Sequence, residues 1–426
     1  MQANTKSSIL ILGVLFFTFG FLSWVNAILI PYFKIACELS HFESYLVAFS
    51  FYISYFFVSM PSSFLVKKIG YKKGIWFGFM IMAFGSLLFL PAAYLRNYSL
   101  FLFGLFALGS GLAILQPIAN LYITTIGNPE RAAQRISVMG ICNKFAGIIA
   151  PYLFSLILIR KGDEMAFKSI PLLSDEERVF YLDQLILRVI PPYAALSILL
   201  IIVGFFIYKS SLPEINLSEE SSTDQKPSFK ALFKYPNLVL GFVAIFLHVG
   251  TQVIAVDTII NYGMHTTISL EDCKLLPSYT LTCTILGYIL GIVLIPKFIS
   301  QSAALKICSI LGVIISFLIV VIDIHIAWFT IDMHLSVLLI SALGLPNALI
   351  WASIWPLALK NLGNLSGQAS ALLIMGLAGN AILPLIYGAI ADYIGLQLAY
   401  VVLIPCFIYI CFYAFKGFKI YAWNDH

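Results

Sequence analysis

The chain has 426 residues, of which 61% are hydrophobic and only 11% are charged. Soluble domains carry about 25% charged residues, so this composition excludes a soluble globular protein and indicates an integral membrane protein. The net charge of +5 does not indicate nucleic-acid binding, because the lysines and arginines cluster in short segments between apolar runs.

About twelve apolar runs are long enough to cross a bilayer, which takes roughly 20 residues for each helix. The first run begins near Ser8 and continues to about Ile35, well beyond the length of a signal-peptide core, so we expect it to remain as helix 1. The predicted helices 1 to 12 cover residues 8–35, 42–66, 75–95, 99–124, 132–158, 189–208, 237–263, 275–298, 303–323, 333–358, 366–390 and 396–415.

The basic residues between the helices predict the orientation of the protein in the membrane. Lysines cluster after helices 2, 6 and 12, and arginines follow helix 4, so with twelve helices all of these clusters fall on one side. Basic loops stay in the cytoplasm. The sequence therefore predicts a multi-pass protein of the plasma (inner) membrane with both termini in the cytoplasm.

A polar segment rich in Ser, Glu and Pro separates helices 6 and 7 and cannot bury a core. It divides the chain into an N-terminal six-helix bundle at 1–208, a cytoplasmic linker at 209–236 and a C-terminal six-helix bundle at 237–426. We therefore predict an all-α integral membrane fold in which twelve helices form two six-helix bundles.

A weak internal repeat relates the two bundles. An offset of 236 residues aligns Met139-Gly140 with Met375-Gly376 and Lys144 with Asn380. The same offset aligns Gly127-Asn128 with Gly363-Asn364. Two related halves around a central site are typical of transporters, so the bundles are predicted to be pseudo-symmetric.

Few charged residues lie inside the apolar runs, and these are the first candidates for function. Lys144 and Asp257 fall well inside a run, and His248 is a weaker third. A charge at the depth of the bilayer is unfavourable unless it faces a cavity or a partner, which makes such positions functional candidates.

Several segments carry a resemblance to a known family, and they extend over nearly the whole chain. They are FGFLSWVNAILIPYFK in helix 1, VKKIGYKKG after helix 2, GLAILQPIANLYITTIG in helix 4, SVMGICNKFAGIIAP in helix 5, VDTIINYG in helix 7 and IWPLALKNLG in helix 10. The chain resembles transporters of the major facilitator superfamily, and more closely the L-fucose–proton and glucose/galactose transporters. This resemblance implies the major facilitator fold and sugar transport.

Two positions depart from the family pattern. Fucose-type members have an Asp after the Asn of helix 1, where this chain has Ala27, and a Glu in helix 4, where it has Gln116. In the family those carboxylates serve the proton and the sugar. Proton coupling through them therefore does not carry over, whereas amides still suit sugar hydroxyls because each offers an acceptor and two donors.

The candidate substrate-binding residues are amides, one lysine and two tryptophans. Gln116 and Asn120 share a helix face because they are four residues apart. Trp351 and Trp355 follow Asn347 at the same spacing, and their rings suit the apolar face of a sugar, although interfacial tryptophans are the common alternative. The full set is Asn26, Gln116, Asn120, Asn143, Lys144, Gln252, Asn261, Asn347, Trp351, Trp355 and Asn380.

Helix 7 contains the candidate ion-coupling residue, Asp257, which would take up a proton or bind sodium. The alternative is a structural hydrogen bond or ion pair. Asp257 and Asn261 share a face, whereas Gln252 lies about 140° around an ideal helix. All three reach one cavity only if helix 7 is interrupted, which is tolerated where the backbone lines a cavity.

These features predict a secondary active transporter that imports a hexose-type sugar by alternating access, in symport with a proton or sodium. The alternatives are an uncoupled sugar facilitator and a transporter of another small polar solute, such as an amino sugar. Enzyme motifs such as HExxH and GxSxG are absent from the sequence, so we expect no enzyme activity, no metal and no cofactor besides the coupling ion. The expected partners are the sugar and the lipid bilayer, with no nucleic acid, and the expected state is a monomer.

Overall fold

The structure is a computed structural model, and it describes residues 5–125, 132–160, 163, 167, 170, 173–210, 232–266, 268–295, 298–328, 331–360, 362 and 365–423. Within these ranges, twelve helical spans are long and apolar enough to cross a membrane. This confirms the predicted all-α membrane fold. The predicted linker residues 211–231 and the repeat residues Gly127, Asn128, Gly363 and Asn364 lie outside the described residues.

The first six spans form the N-terminal half of the protein. Helix 1 consists of two segments, Thr5–Trp24 and Asn26–Ala36. Helices 2 to 5 are His41–Ile69, Tyr71–Tyr94, Tyr98–Thr125 and Ala132–Leu158. Helix 6 is Ile190–Lys209.

The last six spans form the C-terminal half, and here four helices consist of more than one segment. Helix 7 is Pro236–Asp257 with Ile259–His265, helix 8 is Leu276–Leu294 and helix 9 is Gln301–Val321. Helix 10 is Leu335–Ala342 with Gly344–Ala358. Helix 11 is Ser366–Met375, a 3-10 turn at Gly376–Ala378 and Gly379–Ile394, and helix 12 is Leu398–Val402, a 3-10 turn, with Leu403–Phe415.

Two elements outside the spans were not predicted. The connection between helices 5 and 6 contains a further helix, Asp175–Leu187, whose N-terminus carries a capping box formed by Ser174 and Glu177. The connection between helices 9 and 10 is an antiparallel hairpin of β1, His325–Trp328, and β2, Ile331–His334. Both elements are short and mix polar with apolar residues, so hydropathy alone does not reveal them.

The predicted end of helix 8 at residue 298 is wrong. The helix ends at Leu294, and Ile295 already has an extended backbone conformation. Pro296 explains the difference, because proline disfavours the helical conformation in the residue that precedes it.

Glycines allow close helix contact at equivalent places in the two halves. A Cβ atom at Gly20 of helix 1 would overlap the backbone carbonyl of Asn143 in helix 5. A Cβ atom at Gly379 of helix 11 would overlap the backbone carbonyl of Phe246 in helix 7. Asn143 and Gly379 differ by the offset of the internal repeat (379 − 143 = 236). Small residues at such contacts are typical of membrane helix pairs.

The two halves contact each other at the end of the molecule that carries the connections between helices 1 and 2 and between helices 11 and 12, here called the distal end. The backbone N–H groups of His41 and Phe42, in the first turn of helix 2, donate to Oδ1 and Oδ2 of Asp392 in helix 11, each over 2.9 Å. A carboxylate is favourable there because a helix N-terminus carries unpaired N–H groups and a partial positive charge.

Aromatic and hydroxyl contacts extend this closure towards the middle of the membrane. The rings of Tyr45 in helix 2 and Tyr387 in helix 11 meet edge to face at 5.6 Å. Ser278 of helix 8 donates its hydroxyl to the carbonyl oxygen of Ile148 in helix 5 over 3.0 Å. The distal end is therefore closed by contacts between helices 2 and 11 and between helices 5 and 8.

We expect Asp392→Asn to weaken the closure of the distal end, because the variant loses the charge that accepts both N–H groups. The closure can be measured by the labelling rate of a cysteine introduced by Ser278→Cys, since Ser278 is buried between the halves. In a background without the four partly exposed native cysteines, Asp392→Asn should raise the labelling rate of this cysteine on the order of tenfold, for a loss of about 1.4 kcal/mol. The matched control is Asp183→Asn, which removes a 3.2 Å ion pair with Arg96 inside the N-terminal half. An unchanged labelling rate in Asp392→Asn would contradict the assigned role.

We expect Gly20→Ala to lower the stability of the N-terminal half, because the added methyl group forces helices 1 and 5 apart. Overpacking of this kind costs about 1–3 kcal/mol. Gly13→Ala in the same helix is the control, since nothing lies within 4 Å of the added atom. Thermal unfolding in detergent should show a lower midpoint for Gly20→Ala and no decrease for Gly13→Ala, and equal midpoints would disprove the clash.

Candidate functional site

The interruptions of the membrane helices lie beside the polar residues predicted to have a function. Helix 1 is interrupted at Val25, next to Asn26, and helix 7 at Thr258, next to Asp257. Helix 10 is interrupted at Leu343, and helix 11 contains the 3-10 turn Gly376–Ala378. Irregular backbone at membrane depth is tolerated where it lines a cavity or is buried in protein. Helix 7 is thus interrupted beside Asp257, although Thr258 itself keeps a helical backbone conformation.

A cavity of about 100 Å³ lies between the two halves. Its walls come from helices 1, 2, 4 and 5 of the N-terminal half and from helices 7 and 11 of the C-terminal half. The lining residues are Ser23, Trp24, Tyr52, Tyr55, Gln116, Asn143, Gln252, Val253, Leu377 and Asn380.

Four predicted amides line this cavity. Gln116 and Asn143 come from the N-terminal half, and Gln252 and Asn380 come from the C-terminal half. The Asn143 amide nitrogen lies 3.4 Å from the carbonyl oxygen of Phe16, and the Asn380 Oδ1 atom has no hydrogen-bond partner among the described residues. The cavity therefore has hydrogen-bonding groups on both walls.

Lys144 lies behind the cavity wall and is only 7% exposed. Its ammonium nitrogen is 3.4 Å from Gln252 Oε1 and 4.2 Å from the centre of the Trp24 ring, and both of these residues line the cavity. The described part of the chain contains no acidic residue in an ion pair with it. Lys144 therefore supplies a positive charge next to an otherwise uncharged cavity.

Asp257 and Asn261 lie outside the cavity lining, in a buried polar cluster that also contains Asn26. Asp257 is fully buried, and neither of its carboxyl oxygens has a hydrogen-bond partner among the described residues. The side chains of Asn261 and Asn26 interact with Tyr45 and Tyr52 of helix 2, respectively. Tyr45 and Tyr52 of helix 2 are within electrostatic range of Asp257. The cluster thus joins helix 7 to the opposite half.

Three of the remaining candidates, Asn347, Trp351 and Trp355, are placed apart from the cavity lining. Asn347 is buried and its Oδ1 atom accepts from the Thr251 hydroxyl over 3.4 Å. Trp351 and Trp355 stack on each other with ring centres 5.2 Å apart, and both pack against the hydrophobic core. The side chain of Asn120 lies outside the described residues. A substrate contact for these four residues stays a prediction.

Sequence reasoning missed the aromatic residues of the cavity. Trp24 precedes the interruption of helix 1, and Tyr52 and Tyr55 are three residues apart in helix 2. The Tyr52 hydroxyl donates to the carbonyl oxygen of Ser23 over 3.0 Å, which connects helix 2 to that interruption. Aromatic residues make up 15% of the chain, so composition does not distinguish these three from the others. The only available signal was the position of Trp24 two residues before Asn26.

Comparisons with known proteins agree with the fold. The family model of the Major Facilitator Superfamily matches residues 12–378. The chain is 34% identical over 421 residues to a glucose/galactose transporter of Brucella abortus biovar 1 (strain 9-941), covering 98% of this chain and 96% of the relative. It is 30% identical over 417 residues to a putative glucose/galactose transporter of Helicobacter pylori (strain ATCC 700392 / 26695), covering 96% of each.

A solved structure with the same fold is that of FucP, a Major Facilitator Superfamily transporter, in the outward conformation. It superposes with a TM-score of 0.70 at 25% identity, over 95% of this chain and 97% of that chain. The family resemblance inferred from the sequence is thereby confirmed. The chain belongs to the Major Facilitator Superfamily and is a membrane transporter, not an enzyme.

Proposed function

We propose that the protein imports a hexose-type sugar by alternating access of the cavity between its two halves, in symport with a cation. In this mechanism the bundles 1–208 and 237–426 move relative to each other about the central site. The observation that carries the proposal is the cavity itself, because amides from both halves meet there.

The chemistry of the cavity walls suits a sugar. Each of the four amides offers one carbonyl acceptor and two N–H donors, and sugar hydroxyls need both kinds of partner. Trp24, Tyr52 and Tyr55 supply aromatic surface for the less polar parts of the ring. Ligand sites usually measure about 300–1,000 Å³, so the walls of this 100 Å³ cavity have to separate before a hexose fits. The names of the relatives, which refer to glucose and galactose, support a hexose as the substrate.

Asp257 is the proposed coupling residue. A buried carboxylate without a hydrogen-bond partner is unfavourable, and a bound proton or sodium ion would offset that cost. Its position supports coupling, because it lies beside the interruption of helix 7 and near helix 2 of the opposite half. Movement of the halves would therefore change the environment of Asp257. Coupling follows if the bound ion stabilises one of the two states more than the other.

An uncoupled facilitator is the second candidate function. The chain has Ala27 and Gln116 where fucose-type members carry carboxylates, which favours transport without a coupling ion. In that case Asp257 has a structural role.

The orientation proposed from the basic loops has support from contacts near the termini. The Lys72 ammonium donates to the carbonyl oxygen of Ser210, and the Trp423 indole donates to the carbonyl oxygen of Phe233 over 2.7 Å. The connections after helices 2, 6 and 12 thus lie at one end, which we assign to the cytoplasm of an inner-membrane protein. We further propose a monomer, because a single chain lines the whole cavity.

Uptake of labelled hexoses into proteoliposomes tests the coupling. With an imposed proton or sodium gradient, the wild type should concentrate one hexose of the panel, and Asp257→Asn should only equilibrate it. Asp183→Asn, at the exposed pair with Arg96, is the matched control and should behave like the wild type. Uptake that equilibrates in every case and ignores both gradients would exclude symport and leave the facilitator.

The role of the amides is tested at Gln116. We expect Gln116→Leu to raise KM for the transported hexose about tenfold or more, because a buried hydroxyl of the sugar would lose its partner. Gln301→Leu is the control, since that amide donates to the carbonyl oxygen of Ala352 away from the cavity. Initial uptake rates over a range of sugar concentrations measure KM for each variant and for the wild type. Equal KM values for Gln116→Leu and the wild type would remove Gln116 from the site.

A further inference from the structure

The Lys144 side chain connects the two halves of the transporter at the cavity. Lys144 belongs to helix 5, and the Gln252 oxygen that its ammonium group contacts belongs to helix 7. The other polar contacts between the halves, at Asp392, at Ser278 and between Tyr45 and Asn261, involve residues outside the cavity lining. The Lys144–Gln252 contact is therefore the one beside the cavity among the described residues.

Trp24 holds the ammonium group in this position. Its ring lies 4.2 Å from the Lys144 nitrogen, a distance at which a cation is attracted to an aromatic face. Gly147, three residues further along helix 5, packs so closely on the same ring that a Cβ atom there would overlap it. The ring is thus fixed against helix 5, and the ammonium group is fixed against the ring.

The Lys144–Gln252 contact leaves hydrogen-bonding capacity unused. An ammonium group has three donors, and the 3.4 Å distance to Gln252 Oε1 is long for a hydrogen bond to a charged group, which is usually about 2.7–2.9 Å. A buried charge with so few partners is unfavourable. Oxygen atoms of a ligand placed between Lys144 and Gln252 would supply the missing acceptors.

We propose that the transported sugar inserts between Lys144 and Gln252. One sugar oxygen accepts a hydrogen bond from the Lys144 ammonium, and one sugar hydroxyl donates to Gln252 Oε1; this arrangement is here called the bridge. This inference rests on the proposed sugar transport and deepens it. The bridge spans both halves, so a sugar bound there connects helix 5 to helix 7. Lys144 and Gln252 then act as a pair, and the loss of either residue releases one end of the sugar and weakens the contact at the other.

The pairing gives a specific expectation for binding. Lys144→Met and Gln252→Leu should each weaken binding of the transported hexose on the order of tenfold, which is the loss of one hydrogen bond to a buried group. The double variant should bind much less than a hundredfold more weakly than the wild type, because residues that share one ligand are coupled. Lys144→Gln keeps a hydrogen-bond donor without the charge, so this variant should bind the hexose more tightly than Lys144→Met does.

Equilibrium binding to the purified full-length protein, followed by tryptophan fluorescence, measures these values. Sugar should change the emission of the wild type, and this change should be absent in Trp24→Phe and reduced in Lys144→Met, because the ammonium group lies over that ring. A residue that acts only in packing would not alter this signal. Lys306→Met is the matched control: Lys306 lies 5.0 Å from the Phe415 ring within the C-terminal half, away from the cavity.

The possible results separate the bridge from the proposed function. A transported hexose that binds Lys144→Met as tightly as the wild type overturns the bridge and leaves sugar transport intact. Single losses that multiply in the double variant also overturn it, because they show independent contacts. A wild type that binds and transports no hexose of the panel overturns sugar transport and the bridge together. If Lys144→Met does not fold, the same test of coupled binding losses uses Lys144→Gln, Gln252→Leu and their double variant.

Discussion

The hydrocarbon core of a membrane offers no hydrogen-bond partners, and this constraint limits where polar side chains can lie in the membrane-spanning helices. Each polar group at that depth has to face another part of the chain or a cavity. Gln116, Asn143, Gln252 and Asn380 meet the constraint at the central cavity. Asp257 does not meet it, because its carboxyl group is fully buried without a partner among the described residues. The contrast distinguishes the groups that would hold a solute from the group that would respond to an ion.

The internal repeat has a physical counterpart in the contacts of helices 5 and 11. Residues 143 and 379 both lie where one helix touches the next across a glycine, although the glycine belongs to helix 1 in one half and to helix 11 in the other. The residues that follow, Lys144 and Asn380, lie at the cavity from opposite sides. Equivalent backbone contacts thus bring chemically different side chains to one site, so the walls of the cavity are asymmetric although the fold is nearly symmetric.

The sequence predicted the fold better than it predicted the site, and the reason is the range of the interactions involved. Helix existence depends on long apolar runs, so all twelve spans were predicted, whereas the end of helix 8 depended on a single proline. Amides in apolar runs are rare enough to stand out, and four of them line the cavity. Trp351 and Trp355 stack on each other outside this cavity lining, so their contact with a sugar stays a prediction; residue spacing gives a shared helix face without giving its direction. Trp24, Tyr52 and Tyr55 were missed because their position depends on how helices 1 and 2 meet.

In the contact between Asp392 and helix 2, helix 2 contributes only main-chain groups. Both donors are peptide N–H groups, so the identity of the side chains at 41 and 42 does not enter the hydrogen bonds. Every amino acid except proline supplies such a group. Substitutions other than proline in the first turn of helix 2 therefore keep these N–H donors, whereas a single change at Asp392 removes the acceptor. Mutation of Asp392 is therefore expected to open the distal end. The side chains at 41 and 42 are free to vary, for example in their contact with the solvent outside the membrane.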